Sequence, residues 1–189
     1  HYLELSGVSR AGWMARACSA MPLGYVKRTQ AKSLLQERVV IEEKAPEDVA
    51  TALESDPQAV YLDVRTEGEF VQGHVPRALN IPVAEQVPAT GTMAPNPDFM
   101  SVVRASISLG ATVYCGCASG PRSRHAVTLL QHAGYTDVSN VTSGFSGVVD
   151  PLGRVLEPGW TARGLPVEAG DGGPFGYVAL RAAAESSDG

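Results

Sequence analysis

Short apolar runs alternate with helical patterns along this chain of 189 residues, and that alternation is the strongest constraint on its fold. Residues 59–63 (AVYLD) form a continuous apolar run that ends in a carboxylate, which is typical of a strand buried in a parallel sheet. Further strands are predicted at residues 39–41, 79–81, 111–115 and 138–141. The alternation predicts an α/β fold, with a central parallel sheet of about five strands flanked by helices on both faces.

Local signals place helices and loops between these strands. Thr66 and Glu69 have the spacing of a capping box, which predicts a short helix over residues 67–72. Apolar residues at helical spacing predict a further helix that reaches about residue 133. Residues 82–97 hold four prolines and are predicted to form a long loop. Loops of this length in a compact domain are often functional.

Charge and composition divide the chain into three parts. Six basic and two acidic side chains give the first 40 residues a net charge of +4, so the remaining 149 residues carry −9. We therefore predict a basic extension over residues 1–36, which is either poorly ordered or similar to a transit peptide or an added expression sequence. Residues 37–168 are predicted to form a single folded domain, and residues 169–189 a loose, Gly-rich tail.

The overall composition excludes several classes of protein. A net charge of −5 gives no reason to expect nucleic-acid binding. No apolar run approaches the roughly 18–20 residues that a membrane helix needs, so no membrane partner is predicted. Three cysteines in 189 residues do not make a disulfide scaffold. We predict a cytoplasmic location, with import into an organelle, directed by the basic extension, as the alternative.

The candidate site is the segment of residues 117–123 (CASGPRS), which runs from the end of a predicted strand into a helix. In parallel sheets, ligands bind beyond the carboxyl ends of the strands. The small residues and Gly120 allow backbone N–H groups to converge, and a helix N-terminus adds to an anion site. Arg122 supplies a fixed charge. Cys117 is therefore predicted to be a free, accessible nucleophile, whereas the alternative is an inert cysteine buried in a turn.

Several motifs, in the family's order, give the chain a resemblance to the rhodanese homology domain. The resemblance covers about residues 38–168. It rests on DVRTEGEF (63–70), GHVP (73–76), ALNIP (78–82), the segment 117–123 and GLPVE (164–168). Residues 96–99 (NPDF) also look like those of the single-domain thiosulfate sulfurtransferases of plants and bacteria.

The resemblance implies a sulfurtransferase that takes sulfane sulfur from thiosulfate or a persulfide and passes it to a nucleophilic acceptor. Cyanide or a thiol, including glutathione or thioredoxin, is the implied acceptor. The family's catalytic cysteine corresponds to Cys117, which would carry the sulfur as a persulfide. The implied binding residues, through backbone N–H groups and the Arg side chain, are Ala118, Ser119, Gly120, Arg122 and Ser123. No metal and no organic cofactor is implied.

Two other functions remain open. Phosphatases and arsenate reductases share this fold, but the resemblance implies five residues between their Cys and Arg, whereas Cys117 and Arg122 have four between them. The second alternative is a non-catalytic module for binding or sulfide sensing. Because degenerate copies of the domain usually lose the cysteine, the presence of Cys117 favours an enzyme.

Four further features bear on the site, and two of them have both a functional and a structural interpretation. Arg65, two residues after Asp63, could bind an anion at the site or form a buried ion pair with that carboxylate. Cys115 could resolve a persulfide, or it is a small apolar residue at a strand end. Pro121 removes one N–H from the loop. Residues 146–159 form an insertion, predicted at the edge of the sheet, that would shape the choice of acceptor.

Overall fold

The structure is a computed structural model and describes residues 40–187. Its strands are β1 (Glu42–Lys44), β2 (Val60–Asp63), β3 (Leu79–Asn80), β4 (Ala84–Gln86), β5 (Met93–Pro95), β6 (Val113–Gly116), β7 (Val138–Val141), β8 (Gly147–Val149) and β9 (Val155–Pro158). Its α-helices are α1 (Pro46–Ser55), α2 (Glu67–Gln72), α3 (Phe99–Ser106), α4 (Pro121–His132) and α5 (Tyr177–Ser187). Two short 3₁₀ turns lie at Thr161–Arg163 and Gly173–Phe175.

Five of these strands form one central parallel sheet in the order β1-β7-β6-β2-β3. Leu62 of β2 lies opposite Cys115 of β6 on one side and Leu79 of β3 on the other. This confirms the predicted α/β fold and the number of strands. Because the strands are parallel, the loops that follow β2 and β6 leave the same edge of the sheet.

Helices cover both faces of the sheet, and each face has its own apolar core. One core joins the sheet to α3, α4 and α5 through buried residues that include Leu62, Val103, Cys115, Leu130 and Tyr177. The other joins it to α1 and α2 through residues that include Val49, Tyr61, Phe70, Val141 and Trp160. Burial on both faces explains why the central strands are continuously apolar rather than alternating.

The predicted helix at residues 67–72 is confirmed with the same bounds. Thr66 Oγ1 accepts a hydrogen bond from Glu69 N at 3.3 Å, and the Glu69 carboxylate accepts one from Thr66 N at 3.0 Å. Both halves of the capping box are therefore formed. The four-residue strand predicted at residues 138–141 is confirmed as well.

The first strand differs from its prediction. Residues 39–41 were expected to form it because they are apolar, but residue 39 lies outside the described residues and the strand spans Glu42–Lys44. At the edge of the sheet the side chains stay partly in water, so apolarity is not required. Instead, Glu43 accepts a hydrogen bond from Asn140 Nδ2 at 2.6 Å and pairs with Arg124 at 2.8 Å.

The predicted long loop at residues 82–97 also contains regular structure. Strands β4 and β5 pair antiparallel within it, with Ala84 opposite Pro95. The turn between them is closed by a hydrogen bond from Val87 N to Thr92 O at 2.8 Å. Pro95 lacks a backbone N–H. It is tolerated because it lies at the end of a strand in a two-stranded pair, where no further strand requires a donor at that position.

The C-terminal residues correct the prediction of a loose tail. Residues 177–187 form α5, with Tyr177 and Ala184 buried against the core. Asn96 Nδ2 donates a hydrogen bond to the Tyr177 hydroxyl at 2.9 Å, which ties the start of α5 to the segment before α3. The apolar positions 177, 180 and 184 share one helical face, a pattern that the glycines of residues 170–176 obscure.

The insertion at residues 146–159 forms a hairpin of its own. Strands β8 and β9 pair antiparallel and are not part of the central sheet. Its exposed side chains include four large aliphatic residues, Val149, Leu152, Val155 and Leu156.

The predicted basic extension, residues 1–36, lies outside the described residues. Within residues 40–187, no helix has the length and apolarity needed to cross a membrane.

Candidate active site

The site begins where β6, the middle strand of the sheet, ends at Gly116. A side chain on Gly116 would overlap the ring and hydroxyl of Tyr61, which fills the space beside the strand end. Only glycine therefore fits between Cys115 and Cys117. The chain then forms a short loop and enters α4 at Pro121, as the sequence predicts.

The Cys117 sulfur lies inside the curve of this loop. Gly120 N–H donates a hydrogen bond to Sγ at 3.0 Å, and Gly120 itself has a positive φ of 114°, a conformation that favours glycine. The Ser123 hydroxyl lies 3.3 Å from Sγ and 2.9 Å from the Gly120 carbonyl oxygen. The Cys117 side chain is buried rather than accessible as predicted, because Gly120 and Ser123 close around it.

The outer side of the loop is held by the segment that precedes the hairpin. Phe145 N donates to the Cys117 carbonyl and Ser146 N donates to the Ala118 carbonyl, each at 2.8 Å. In a trans peptide the N–H points opposite the C=O. The N–H groups of Ala118 and Ser119 therefore point away from this segment. Gly144 approaches so closely that a side chain there would overlap the Cys117 carbonyl oxygen.

Arg122 and Glu69 form a two-pronged ion pair across the site. Arg122 Nη1 and Nη2 donate to the two carboxylate oxygens of Glu69 at 2.7 and 2.6 Å. Burial alone would raise the pKa of Glu69, but the hydrogen bonds from Arg122 and Thr66 outweigh it and lower that pKa to about 2. The side chain of Arg122, the predicted anion-binding residue, is thus held in place by Glu69 of the capping box of α2. Glu69 also balances its charge.

Comparison with known proteins identifies the family. Residues 45–150 match the family model of the Rhodanese-like domain. The chain belongs to this family. It is 38% identical over 109 residues to the protein named thiosulfate sulfurtransferase 16, chloroplastic, from Arabidopsis thaliana, which covers 58% of this chain and 79% of the relative. The resemblance seen in the sequence is therefore confirmed.

Further relatives and a solved structure also resemble the chain. Thiosulfate sulfurtransferase 18 of A. thaliana is 39% identical over 102 residues, covering 53% of this chain and 72% of that protein. The A. thaliana protein named HIGH ARSENIC CONTENT 1, mitochondrial, is 38% identical over 90 residues, or 48% of this chain and 52% of its own length. The crystal structure of Rv0390 from M. tuberculosis is 32% identical, with a TM-score of 0.57, and covers 68% of this chain and 98% of its own.

The Arg65 guanidinium of this rhodanese-like domain is hydrogen-bonded to neighbouring groups of the protein. Nε and Nη2 donate to the Asp63 carboxylate at 2.6–3.1 Å, and Nη2 also donates to the Gly73 carbonyl at 2.7 Å. The guanidinium carbon lies 4.0 Å from the centre of the Phe145 ring. The sequence leaves two interpretations of Arg65 open, an anion-binding residue and a buried ion pair with Asp63. These contacts show the buried ion pair.

Two contacts of the site join residues that are distant in the sequence and were not predicted from it. One is the Glu69–Arg122 pair, because Glu69 is assigned there only to its cap. The other is Asn80 Nδ2, which donates to the Asp63 and Arg65 carbonyls at 3.1 and 3.0 Å and fixes the chain after β2. The matching charges of a capping Glu and a loop Arg were the available signal for the first contact.

Cys115 lies on the other side of Gly116 and has different neighbours. Its side chain is fully buried in the apolar core beneath α4. Burial raises the pKa of the Cys115 thiol, and the negative charge of a thiolate at Cys117 raises it further. Cys115 is therefore held as a neutral thiol, whereas the Cys117 sulfur accepts a hydrogen bond from an N–H group just before the start of α4.

Proposed function

We propose that this rhodanese-like domain is a sulfurtransferase that moves sulfane sulfur from thiosulfate, or from a persulfide, to a cyanide or thiol acceptor. The observation that carries the proposal is the contact of the Cys117 sulfur with the Gly120 N–H, 3.0 Å apart, at the entry of α4. Two relatives of the chain are named thiosulfate sulfurtransferases, and these names support the same chemistry.

The first half-reaction loads the enzyme. The Cys117 thiolate attacks the outer sulfur of thiosulfate and forms a new S–S bond. The S–S bond of thiosulfate breaks, and its electron pair leaves with sulfite. Cys117 then carries a persulfide whose outer sulfur is negative. The charge is conserved in this exchange, so no separate oxidant or reductant takes part.

The second half-reaction unloads it. Cyanide or a thiolate, such as that of glutathione or thioredoxin, attacks the outer sulfur of the persulfide. The persulfide S–S bond breaks, and its electron pair returns to Cys117 as a thiolate. Sulfite leaves before the acceptor reacts, so the proposal requires ping-pong kinetics.

The chain's own groups stabilise the negative sulfur in both states. The Gly120 N–H contacts Cys117 Sγ directly, and the N–H groups of Ala118 and Ser119 point to the side of the loop opposite Phe145 and Ser146. Fixed N–H donors of this kind need no rearrangement as charge develops. Arg122 contributes a positive field, reduced by its pairing with Glu69.

Intact-mass measurement after incubation with thiosulfate tests the loading step. The wild-type protein is expected to gain the mass of one sulfur atom, and cyanide is expected to remove it with the formation of thiocyanate. Cys117→Ser should gain nothing, whereas the matched control Cys115→Ser should gain one sulfur like the wild type. Loading that persists in Cys117→Ser, or no loading of the wild type, would contradict the proposal.

Arsenate reduction is the second candidate, because one relative is named HIGH ARSENIC CONTENT 1. That reaction starts with attack of the Cys117 thiolate on an oxyanion larger than a sulfur atom. The four residues between Cys117 and Arg122 form the shorter of the two loops known for this fold. Arsenate-dependent oxidation of glutathione that is lost in Cys117→Ser would favour this candidate over sulfur transfer.

An organelle location is also proposed for this protein. Two of its relatives are named chloroplastic and one mitochondrial. The first 40 residues of the chain carry a net charge of +4. Incubation of the full chain with isolated chloroplasts and mitochondria is expected to yield protease-protected protein in one of them. Full digestion by added protease in both preparations would instead favour the cytoplasm.

A further inference from the structure

Three arginines lie on the elements that carry the Cys117 loop (residues 117–123), and each of them is paired with a carboxylate. Two are in the first turn of α4, and the third follows β2, whose last residue lies opposite Gly116. The pairs join Arg122 to Glu69 at 2.6 Å, Arg124 to Glu43 at 2.8 Å and Arg65 to Asp63 at 2.6 Å. Because each arginine is balanced by its partner, the three pairs together bring no net positive charge to the loop.

The Glu69 carboxylate is fixed from two sides. Within the capping box its Oε2 accepts hydrogen bonds from Thr66 N at 3.0 Å and from Thr66 Oγ1 at 2.8 Å. From the other side, Arg122 donates one hydrogen bond to each carboxylate oxygen. Burial opposes ionisation, but these hydrogen bonds lower the pKa of Glu69 to about 2, so the group is charged at neutral pH. An anion that approaches Arg122 therefore meets a fixed negative charge beside it.

The charge of Arg122 acts on the reacting sulfur as well as on Glu69. The pKa of Arg122 is raised first by its hydrogen bonds to Glu69 and, to a lesser extent, by negative charge at Cys117. A substrate bound at Cys117 therefore experiences both members of the pair. Because electrostatic energy scales with charge, the opposing field of Glu69 acts most strongly on the most negative substrate. Among sulfur donors that substrate is thiosulfate, a dianion, whereas the reacting group of a thiosulfonate or an organic persulfide carries at most one negative charge.

We propose that Glu69 determines donor specificity: by balancing Arg122 it disfavours thiosulfate and favours sulfur donors whose reacting group carries at most one negative charge. This inference rests on the proposed sulfur transfer and narrows its donor class to organic persulfides and thiosulfonates. The loading step is the same for each donor. The Cys117 thiolate attacks the outer sulfur, the S–S bond of the donor breaks, and its electron pair leaves with a thiolate, a sulfinate or sulfite. Glu69 acts through the charge of Arg122 and takes no part in bond formation.

Two donors that differ by one charge provide the test. In the methanethiosulfonate anion a methyl group replaces one charged oxygen of thiosulfate, so the same outer sulfur is transferred and methanesulfinate leaves instead of sulfite. The donor ratio is kcat/KM for thiosulfate divided by kcat/KM for methanethiosulfonate, measured on the full chain with cyanide as the acceptor. Ionic strength is held constant, because salt screens the effect. The intrinsic reactivities of the two donors cancel when the donor ratio is compared between variants.

Glu69→Gln removes the charge and keeps the shape, since glutamine also serves at this position of a capping box. The donor ratio is expected to rise about tenfold, mainly through faster loading from thiosulfate. Glu67→Gln, an exposed position in the same turn of α2, is the matched control, and its donor ratio should stay within about twofold of the wild type because an exposed charge is screened. Arg122→Gln leaves Glu69 unbalanced and should lower the donor ratio about tenfold. This variant decides the question if Glu69→Gln does not fold.

Several results would overturn the inference and leave the proposed function intact. One is a donor ratio that is unchanged in a folded Glu69→Gln protein, whether or not both rates fall, because an equal loss of both donors is the mark of a purely structural role. Another is a donor ratio that moves in the same direction in Glu69→Gln and in Arg122→Gln. By contrast, a wild-type protein that gains no sulfur at Cys117 from either donor would overturn the proposed function, and this inference with it.

Discussion

Cys115 and Cys117 lie two residues apart around the end of β6 and belong to the same buried cluster, yet their sulfur atoms have different polar neighbours. Cys115 is packed in the apolar core, where burial raises the pKa of its thiol. Cys117 is equally buried, but it faces the Gly120 N–H and the Ser123 hydroxyl. Burial alone therefore does not decide the chemistry of a thiol; the donors around the sulfur do.

Removal of the glycine between the two cysteines should break this contrast most strongly. In Gly116→Ala the new methyl group overlaps Tyr61, so either the strand end or the ring must move. Overpacking of this kind is expected to cost about 3 kcal/mol of unfolding free energy and most of the sulfur-transfer activity. Urea unfolding and thiocyanate formation measure the two effects.

Gly110→Ala is the matched control for that substitution. An added Cβ at Gly110 meets no atom within 4 Å, so its stability and activity should stay close to those of the wild type. If both variants behaved alike, the close contact of Gly116 with Tyr61 would not be the cause.

Removal of a donor should make Cys117 more like Cys115. In Ser123→Ala the hydroxyl 3.3 Å from Sγ is lost, while the Gly120 N–H contact stays. We expect the second-order rate of sulfur loading to fall about tenfold, which corresponds to about 1.4 kcal/mol. Ser119→Ala is the control, because Ser119 is exposed and its contribution is through the backbone. A rate unchanged in Ser123→Ala would show that the backbone alone stabilises the sulfur.

Acid should weaken the support behind Cys117 through Glu69. Its pKa is lowered to about 2 from an ordinary value of 4.5, so its contribution to stability is complete above pH 4.5 and is lost as the pH falls toward 2. Because the pair is partly exposed, we expect only about 1 kcal/mol. Unfolding measured from pH 6 to pH 2 should show this loss in the wild type and not in Glu69→Gln.

The smallest effect is expected on the apolar side of the comparison. Cys115→Ala removes one buried sulfur atom from a packed core and should cost about 1 kcal/mol of stability. Sulfur loading should be retained within about twofold, since no donor to Cys117 is lost. A large loss of loading, measured by intact mass at a fixed time, would assign Cys115 to the chemistry.

Sequence reasoning succeeded where the determinants are local. The capping box of α2 needs only Thr66 and Glu69, three residues apart, and its predicted bounds are those of the structure. The position of the strand-to-helix passage around Cys117 is equally local, although the shape of its loop is not. These signals do not depend on which distant segments pack together.

Contacts between distant segments could not be predicted from the sequence. The contact of Glu69 with Arg122 spans 53 residues, and that of Asn96 with Tyr177 spans 81. The first replaces a free arginine by a balanced pair, and the second turns a predicted loose tail into a docked helix. The opposite charges of Glu69 and Arg122 are compatible with a pair but do not specify it, and no local pattern links Asn96 to Tyr177, since each side chain alone fits an exposed position.

The support of the Cys117 loop, residues 117–123, by residues 144–146 has a consequence for engineering. The carbonyls of Cys117 and Ala118 are fixed by Phe145 and Ser146, and Gly144 is in close contact with the loop. The heptapeptide CASGPRS therefore does not encode its own shape. If these seven residues were grafted onto another strand-to-helix junction without this segment, they should provide a cysteine and an arginine but not the curved backbone. The curved loop is therefore a property of two stretches of chain, which must be transplanted together.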